Sequence, residues 1–197
     1  NICQIYKLGH ADDVYYMAME YIDGFVLNHL IKQAIQSGVL IPYEYCCAVV
    51  MDVCTGLEHA HRLKNAEQQP LNIVHRDISP PNIMISLDGH VKIVDFGVAK
   101  AVTQLHLTKT GVVKGKYAYM SPEQITGTQV DHRADMYGMG VLLYELLTGA
   151  PPFRAKRPQE YLWLHCTAQP DPVSRKLDGV PPALDALLLR MLSKEPA

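Results

Sequence analysis

The sequence predicts an α+β fold that is mainly helical. Three observations carry this: alternating β-type runs close to the start, several segments with apolar residues at helical spacing over the rest, and a composition able to form one packed core. The 197 residues are 48% apolar and 19% charged, with 18 basic against 20 acidic side chains and a formal charge of −2. That balance offers no basic stripe for a phosphate backbone and no long run of like charge, so no nucleic-acid partner is expected. No apolar stretch is long enough to span a bilayer, so no membrane contact is expected from this segment. Five cysteines, odd in number and without a C-x-x-C pair, fit a reducing, cytoplasmic setting.

Residues 2–8 and 14–20 are β-type runs joined by Gly9-His10-Ala11-Asp12-Asp13, which reads as an antiparallel hairpin. Asp23-Gly24 breaks the pattern, and Leu27, Leu30, Ile31, Ala34 and Ile35 then mark one face of a short helix stopped at Ser37-Gly38. Pro42 opens a longer helix to about Arg62, with Cys46, Val49, Val50, Val53, Leu57 and Ala60 on one face. A polar loop over 64–70 leads to three short strands at Ile73-Val74, Ile83–Ile85 and Val91–Val94, the last two turned by Asp88-Gly89. Residues 98–120 show no sustained period and read as a long functional loop. From Asp135 to Leu147 only Asp135 and Glu145 are charged, so that helix belongs in the core, ended by Gly149 and Pro151-Pro152. Two more helices are expected over 158–166 and 181–192.

The chemistry concentrates in His75-Arg76-Asp77-Ile78-Ser79-Pro80-Pro81-Asn82 and in Asp95-Phe96-Gly97, Asp95 lying thirteen residues after Asn82. Phosphoryl transfer to a hydroxyl needs a carboxylate to take the proton and hold the nucleophile in line, a task suited to Asp77. It also needs hard oxygen ligands for Mg²⁺, for which the Asn82 amide and the Asp95 carboxylate are suitable types. Taken singly, either tripeptide is as easily a turn with a capping carboxylate.

Together these residues resemble the eukaryotic-type (Hanks-type) protein kinase family. Ser121-Pro122-Glu123 stands where that family has Ala-Pro-Glu, Asp135–Gly140 resembles its D-x-x-x-x-G helix start, and Met19-Glu20-Tyr21 is similar to its hinge. The forms Ser79-Pro80-Pro81-Asn82 and Lys114–Gln124 look most like bacterial, myxobacterial-type Ser/Thr kinases.

The resemblance implies a protein-kinase-like fold. Residues 1–22 would be the last two strands of the small lobe and the hinge, and 23–197 the large lobe short of its last helix. It implies ATP and Mg²⁺ as cofactors, a protein Ser/Thr hydroxyl as acceptor, and ATP and a protein substrate as partners. Met19 would guard the back of the nucleotide pocket, Glu20 and Ile22 would present backbone groups to adenine, and Met84 would pack beneath the base. Asn82 and Asp95 would hold metal, with His75, Phe96 and Gly97 as structural support. Asp135 would accept from the backbone of the His75–Asp77 loop, and Glu123 would pair with an Arg beyond Ala197. Arg76 would receive a phosphate on the activation segment, with Thr108 and Thr110 as the modified residues and Thr103 also present in that loop.

Two departures look reciprocal. Where Ser/Thr kinases have Lys two residues past the catalytic Asp this chain has Ser79, and where they have Gly-Thr it has Gly115-Lys116. An exchange would let the Lys116 ammonium supply the positive charge and Ser79 the hydroxyl. Otherwise the parent is a pseudokinase or scaffold module, for which Ser79 is the best sign. A small-molecule phosphotransferase is disfavoured by Ser121-Pro122-Glu123 and the Asp135 helix, which shape a shelf for peptides. No Gly-rich strand or Val-Ala-x-Lys strand precedes Asn1, so the sequence reads as a cut from a longer chain, expected to be inactive in isolation.

Overall fold

The computed structural model describes residues 1–12, 14–96 and 117–195. Two strands, β1 (Ile5–Ala11) and β2 (Val14–Met19), form an antiparallel hairpin in which Gly9 faces Tyr16 and His10 faces Tyr15. The sequence places Gly9 and His10 in the turn. They extend the strand instead, because the Tyr16 ring occupies the space beside Gly9 that any Cβ would need. Tyr6, Leu8, Val14 and Tyr15 leave the hairpin largely exposed.

The chain then enters β3 (Gly24–Val26), α1 (Leu27–Gln36) and the long α2 (Tyr43–His61). Pro42 is the residue just before α2, where its missing N–H is no loss. Past a loop and a 3₁₀ turn at Pro80–Asn82 come β4 (Ile83–Ser86) and β5 (Val91–Ile93). β3, β4 and β5 form one antiparallel sheet in that order, with Val26 opposite Met84 and Ile83 opposite Ile93.

Its third strand corrects the sequence expectation. Ile73-Val74 is not a strand, since the backbone that follows it turns its N–H groups to a side chain, Asp135, rather than to a neighbouring strand. The place is taken by Gly24–Val26. Glycine permits it, because a Cβ at Gly24 would run into the Ile85 carbonyl oxygen.

Four helices complete the body: α3 (Pro122–Thr126), α4 (Arg133–Thr148), α5 (Pro158–Thr167) and α6 (Pro182–Met191). As its composition requires, α4 is buried over most of its surface between Ala134 and Leu147, with Met136 exposed, and ends on Gly149 in the left-handed conformation. It packs on α2 and α6, while α2 also covers β5. Leu27, Leu57, Ile83, Ile93, Leu142, Leu143 and Leu188 belong to the one core so formed. The first residues dock on this body: Cys3 N–H donates to the Ile93 carbonyl and Ile93 N–H to the Asn1 carbonyl, each at 2.8 Å. Among the described residues no helix is long and apolar enough to cross a membrane. The five thiols are unpaired.

His165 on α5 lies buried against the edge of Phe153, with Nδ1 2.8 Å from the Tyr137 hydroxyl. Burial and the nearby Lys194 ammonium push its pKa down to about 4 from 6.5. Burial likewise lowers that of His75. Both depressions act with one sign. Below about pH 6.5 the unfolded chain binds protons that the folded chain refuses, so stability is fully present above that pH and declines as pH falls toward about 4. Denaturant melts at a series of pH values will show this decline, and a His165→Asn variant will flatten it. A second expectation concerns Gly140, where α4 meets α6 and an added Cβ would sit 2.9 Å from Met191 Cβ. Gly140→Ala will lower the melting temperature even though alanine gains about 1 kcal/mol in helix propensity.

Candidate active site

The loop from His75 to Asn82 is shaped by a carboxylate from inside the core. Asp135, 1% exposed in the first turn of α4, accepts from His75 N–H at 2.9 Å through Oδ2 and from Arg76 N–H at 2.7 Å through Oδ1. A third donor is His61 Nε2, 2.8 Å from Oδ2. A buried carboxylate is costly unless its lone pairs are filled, and here three donors fill them. His61 escapes notice in the sequence. The signal was available, since a carboxylate expected to be buried calls for more donors than two backbone amides.

His75 is itself 1% exposed and stands edge-on to the Phe96 ring at 4.8 Å. Its Nδ1 accepts from Asp77 N–H at 3.2 Å, and its Nε2 faces the Val94 carbonyl at 3.3 Å. Because a backbone N–H can only donate and a carbonyl only accept, the ring is neutral with its proton on Nε2. Burial lowers its pKa in the same direction. His75 thus links the Asp77 amide to the strand that leads to Asp95.

Asp77 is half-buried, and its carbonyl accepts from Asn82 Nδ2 at 2.8 Å. Ser79, 5% exposed, turns its hydroxyl back to the same carbonyl at 3.5 Å. Val94 N–H donates to the Asn82 carbonyl at 2.9 Å, extending the β4–β5 ladder by one step. Asn82 just before β4 and Asp95 just after β5 therefore leave the sheet at the same end. Asp95 and Arg76 both hold left-handed backbone, at φ 59° and 69°. Non-glycine residues in that region carry strain of order 1–3 kcal/mol, a cost that collects at functional sites.

On the hairpin side, Met19 ends β2 and is partly exposed. The Glu20 carboxylate binds Lys92 Nζ at 2.6 and 2.7 Å and accepts from Gln4 N–H at 3.0 Å, and these bonds hold its pKa below the usual carboxylate range. Glu20 N–H donates to the Gln4 carbonyl at 2.9 Å, and its own carbonyl accepts from the Cys3 thiol at 4.0 Å. Ile22 follows, half-buried, and Met84 lies on β4 between Val26 and Lys92.

Beyond the loop, Ser121 caps α3 and its hydroxyl accepts from Gln124 N–H at 3.4 Å. The Gln124 amide reaches across to the Arg76 carbonyl at 2.7 Å. Tyr119 donates its hydroxyl to the Glu145 carboxylate, whose pKa burial raises. Glu123 lines a cleft of about 310 Å³ with Arg133, Met136, Tyr137, Arg190 and Met191, away from Asp77. Gly97, Lys116, Thr103, Thr108 and Thr110 lie outside the described residues. Of the sequence-derived set, the structure joins His75, Asp77, Ser79, Asn82, Phe96 and Asp135 through direct contacts. Two supporting residues, His61 and Gln124, are added to that set by the fold alone.

Comparison with known proteins places the chain in a family. The chain is 41% identical over 196 residues to the tyrosine-protein kinase MasK of Myxococcus xanthus, covering 100% of this chain and 30% of that protein. It is 36% identical over 201 residues to the serine/threonine-protein kinase PknB of Mycobacterium leprae, again covering 100% of this chain and 30% of that one. The crystal structure of a point mutant of the Mycobacterium tuberculosis PknI kinase domain superposes with a TM-score of 0.71 at 26% identity, over 99% of this chain and 64% of that chain. The chain thus spans under a third of the length of these curated relatives. The family described as protein kinase domain matches residues 1–197, and with the His75–Asn82 loop, Asp95 and the Ser121 helix set as they are, the chain belongs to that family.

Proposed function

We propose that the chain carries the catalytic centre of an ATP- and Mg²⁺-dependent protein kinase that phosphorylates serine and threonine hydroxyls. The observation that carries this reading is the loop geometry: Asp77 is fixed through both its N–H and its carbonyl, beside the point where Asn82 and Asp95 leave the sheet together. In this reading residues 1–22 supply one wall of the nucleotide site and 23–197 the body that holds the chemistry, and the domain works in the cytoplasm.

Each group has a defined task. Asp77 accepts the proton of the acceptor hydroxyl and aims its oxygen in line with the phosphate. The donor set suits Mg²⁺: with Asn82 Nδ2 engaged by the Asp77 carbonyl, Oδ1 is the atom left for a hard cation, beside the Asp95 carboxylate. Bound Mg²⁺ supplies neutralisation of phosphate charge as the transfer proceeds. Met19, the Glu20 carbonyl, Ile22 and Met84 hold the adenine. Lys116 takes the part of the lysine that Ser79 replaces, and Arg76 receives a phosphate from Thr108 or Thr110.

A second reading, tyrosine as acceptor, is favoured by the name of the MasK relative. One experiment separates them. Full-length protein incubated with Mg-ATP and a generic basic protein should transfer phosphate, and phosphoamino-acid analysis of the product should give phosphoserine and phosphothreonine. Asp77→Asn should lower the rate by about a hundredfold or more, the scale of a lost general base. No transfer from well-folded protein would make the chain a pseudokinase scaffold. Lys116→Ala should lower kcat, and a variant that transfers at the wild-type rate removes the exchange with Ser79.

A further inference from the structure

The Gln124 side chain makes three hydrogen bonds. Its Oε1 accepts from Ser121 N–H at 3.1 Å and from the Ser121 hydroxyl at 3.2 Å, while Nε2 donates to the Arg76 carbonyl at 2.7 Å. A backbone N–H only donates and a carbonyl only accepts, so these partners allow a single orientation of the amide. The first half of the arrangement is a capping box at the start of α3, a role that glutamate fills as well as glutamine. The second half is not. A carboxylate has no hydrogen to give to Arg76.

Arg76 is the residue immediately before Asp77, and it holds left-handed backbone at φ 69°. Its N–H is gripped by Asp135 from α4 and its carbonyl by Gln124 from α3. Both polar groups of a strained residue are therefore held by side chains from distant parts of the chain. The carbonyl of Arg76 shares a peptide plane with the Asp77 N–H, so the direction of that carbonyl sets how the Asp77 backbone leaves the turn. The Asp135 contact is made within the core. The Gln124 contact comes from the segment that begins at Ser121, just past Tyr117–Met120.

We propose that Gln124 is a positioning residue whose amide donor locks the Arg76–Asp77 peptide and couples the Ser121 segment to the aim of the Asp77 carboxylate. Its catalytic consequence rests on the kinase reading above. Its structural part does not, and the two are measured separately.

The test uses full-length protein with Gln124→Glu and Gln124→Leu, read by melting temperature, by amide hydrogen exchange across residues 75–79, and by kcat and KM for ATP. Gln124→Glu keeps the cap, so its melting temperature should fall less than that of Gln124→Leu. Exchange across 75–79 should quicken, and kcat at about pH 8 should fall about tenfold, the scale of one hydrogen bond, with KM for ATP unchanged. Gln124→Leu should lose the capping bonds as well, so its melting temperature should fall further while exchange across 75–79 quickens to a similar degree. Unchanged exchange in Gln124→Glu overturns the proposal, and so does exchange across 75–79 that quickens only in Gln124→Leu, which marks a capping role alone. Quickened exchange in Gln124→Glu, in a protein whose parent transfers no phosphate, upholds the positioning of the loop and overturns the kinase reading instead.

Discussion

The buried carboxylate of Asp135 organises the structure around it. It sits, 1% exposed, in the first turn of a mostly buried helix, where an unpaired charge would be prohibitive, and it draws donors from two other parts of the chain. His61 brings the end of α2, while His75 and Arg76 bring the loop that carries Asp77. Removing one partner of such a set leaves the other groups unsatisfied, which is more costly than the bonds themselves were favourable. The fold therefore depends on the loop adopting one shape, and the site inherits that rigidity.

The second constraint is the short β4–β5 pair. Its register sets Ile83 opposite Ile93, so the residues flanking the pair, Asn82 and Asp95, are brought together by backbone pairing alone. His75 then ties the Asp77 amide, through one ring nitrogen, to Val94, the residue before Asp95, through the other. The polar work of support is done by Asp135, His75, Asn82 Nδ2 and Gln124, while the Asp95 carboxylate stays exposed.

Much of this was readable from residue order, and the failures have physical reasons. The all-round apolar character of Asp135–Leu147 announced a core helix, and α4 is one. Ile73-Val74 has the composition of a strand, yet composition reports burial rather than pairing. The loop that follows spends its N–H groups on Asp135, and the edge falls to Gly24–Val26. Gly9 likewise looks like a turn residue, although its use is to make room for the Tyr16 ring. A glycine marks a place where a side chain is not tolerated, and sequence does not say whether a turn or a neighbour is the cause.

By itself the sequence determined the five longer helices, the hairpin and the family, but not the short α3, because hydrophobic spacing and the run from His75 to Gly97 are local or carried by fixed intervals. It also determined which residue types were available for phosphoryl chemistry. Tertiary structure alone decided which groups hold them. That His61 completes the shell of Asp135 and that Gln124 reaches Arg76 are contacts across 74 and 48 residues, set by how α2, α3 and α4 pack. Hydrogen bonds need direction as well as the right atoms, and direction exists only once the chain has folded.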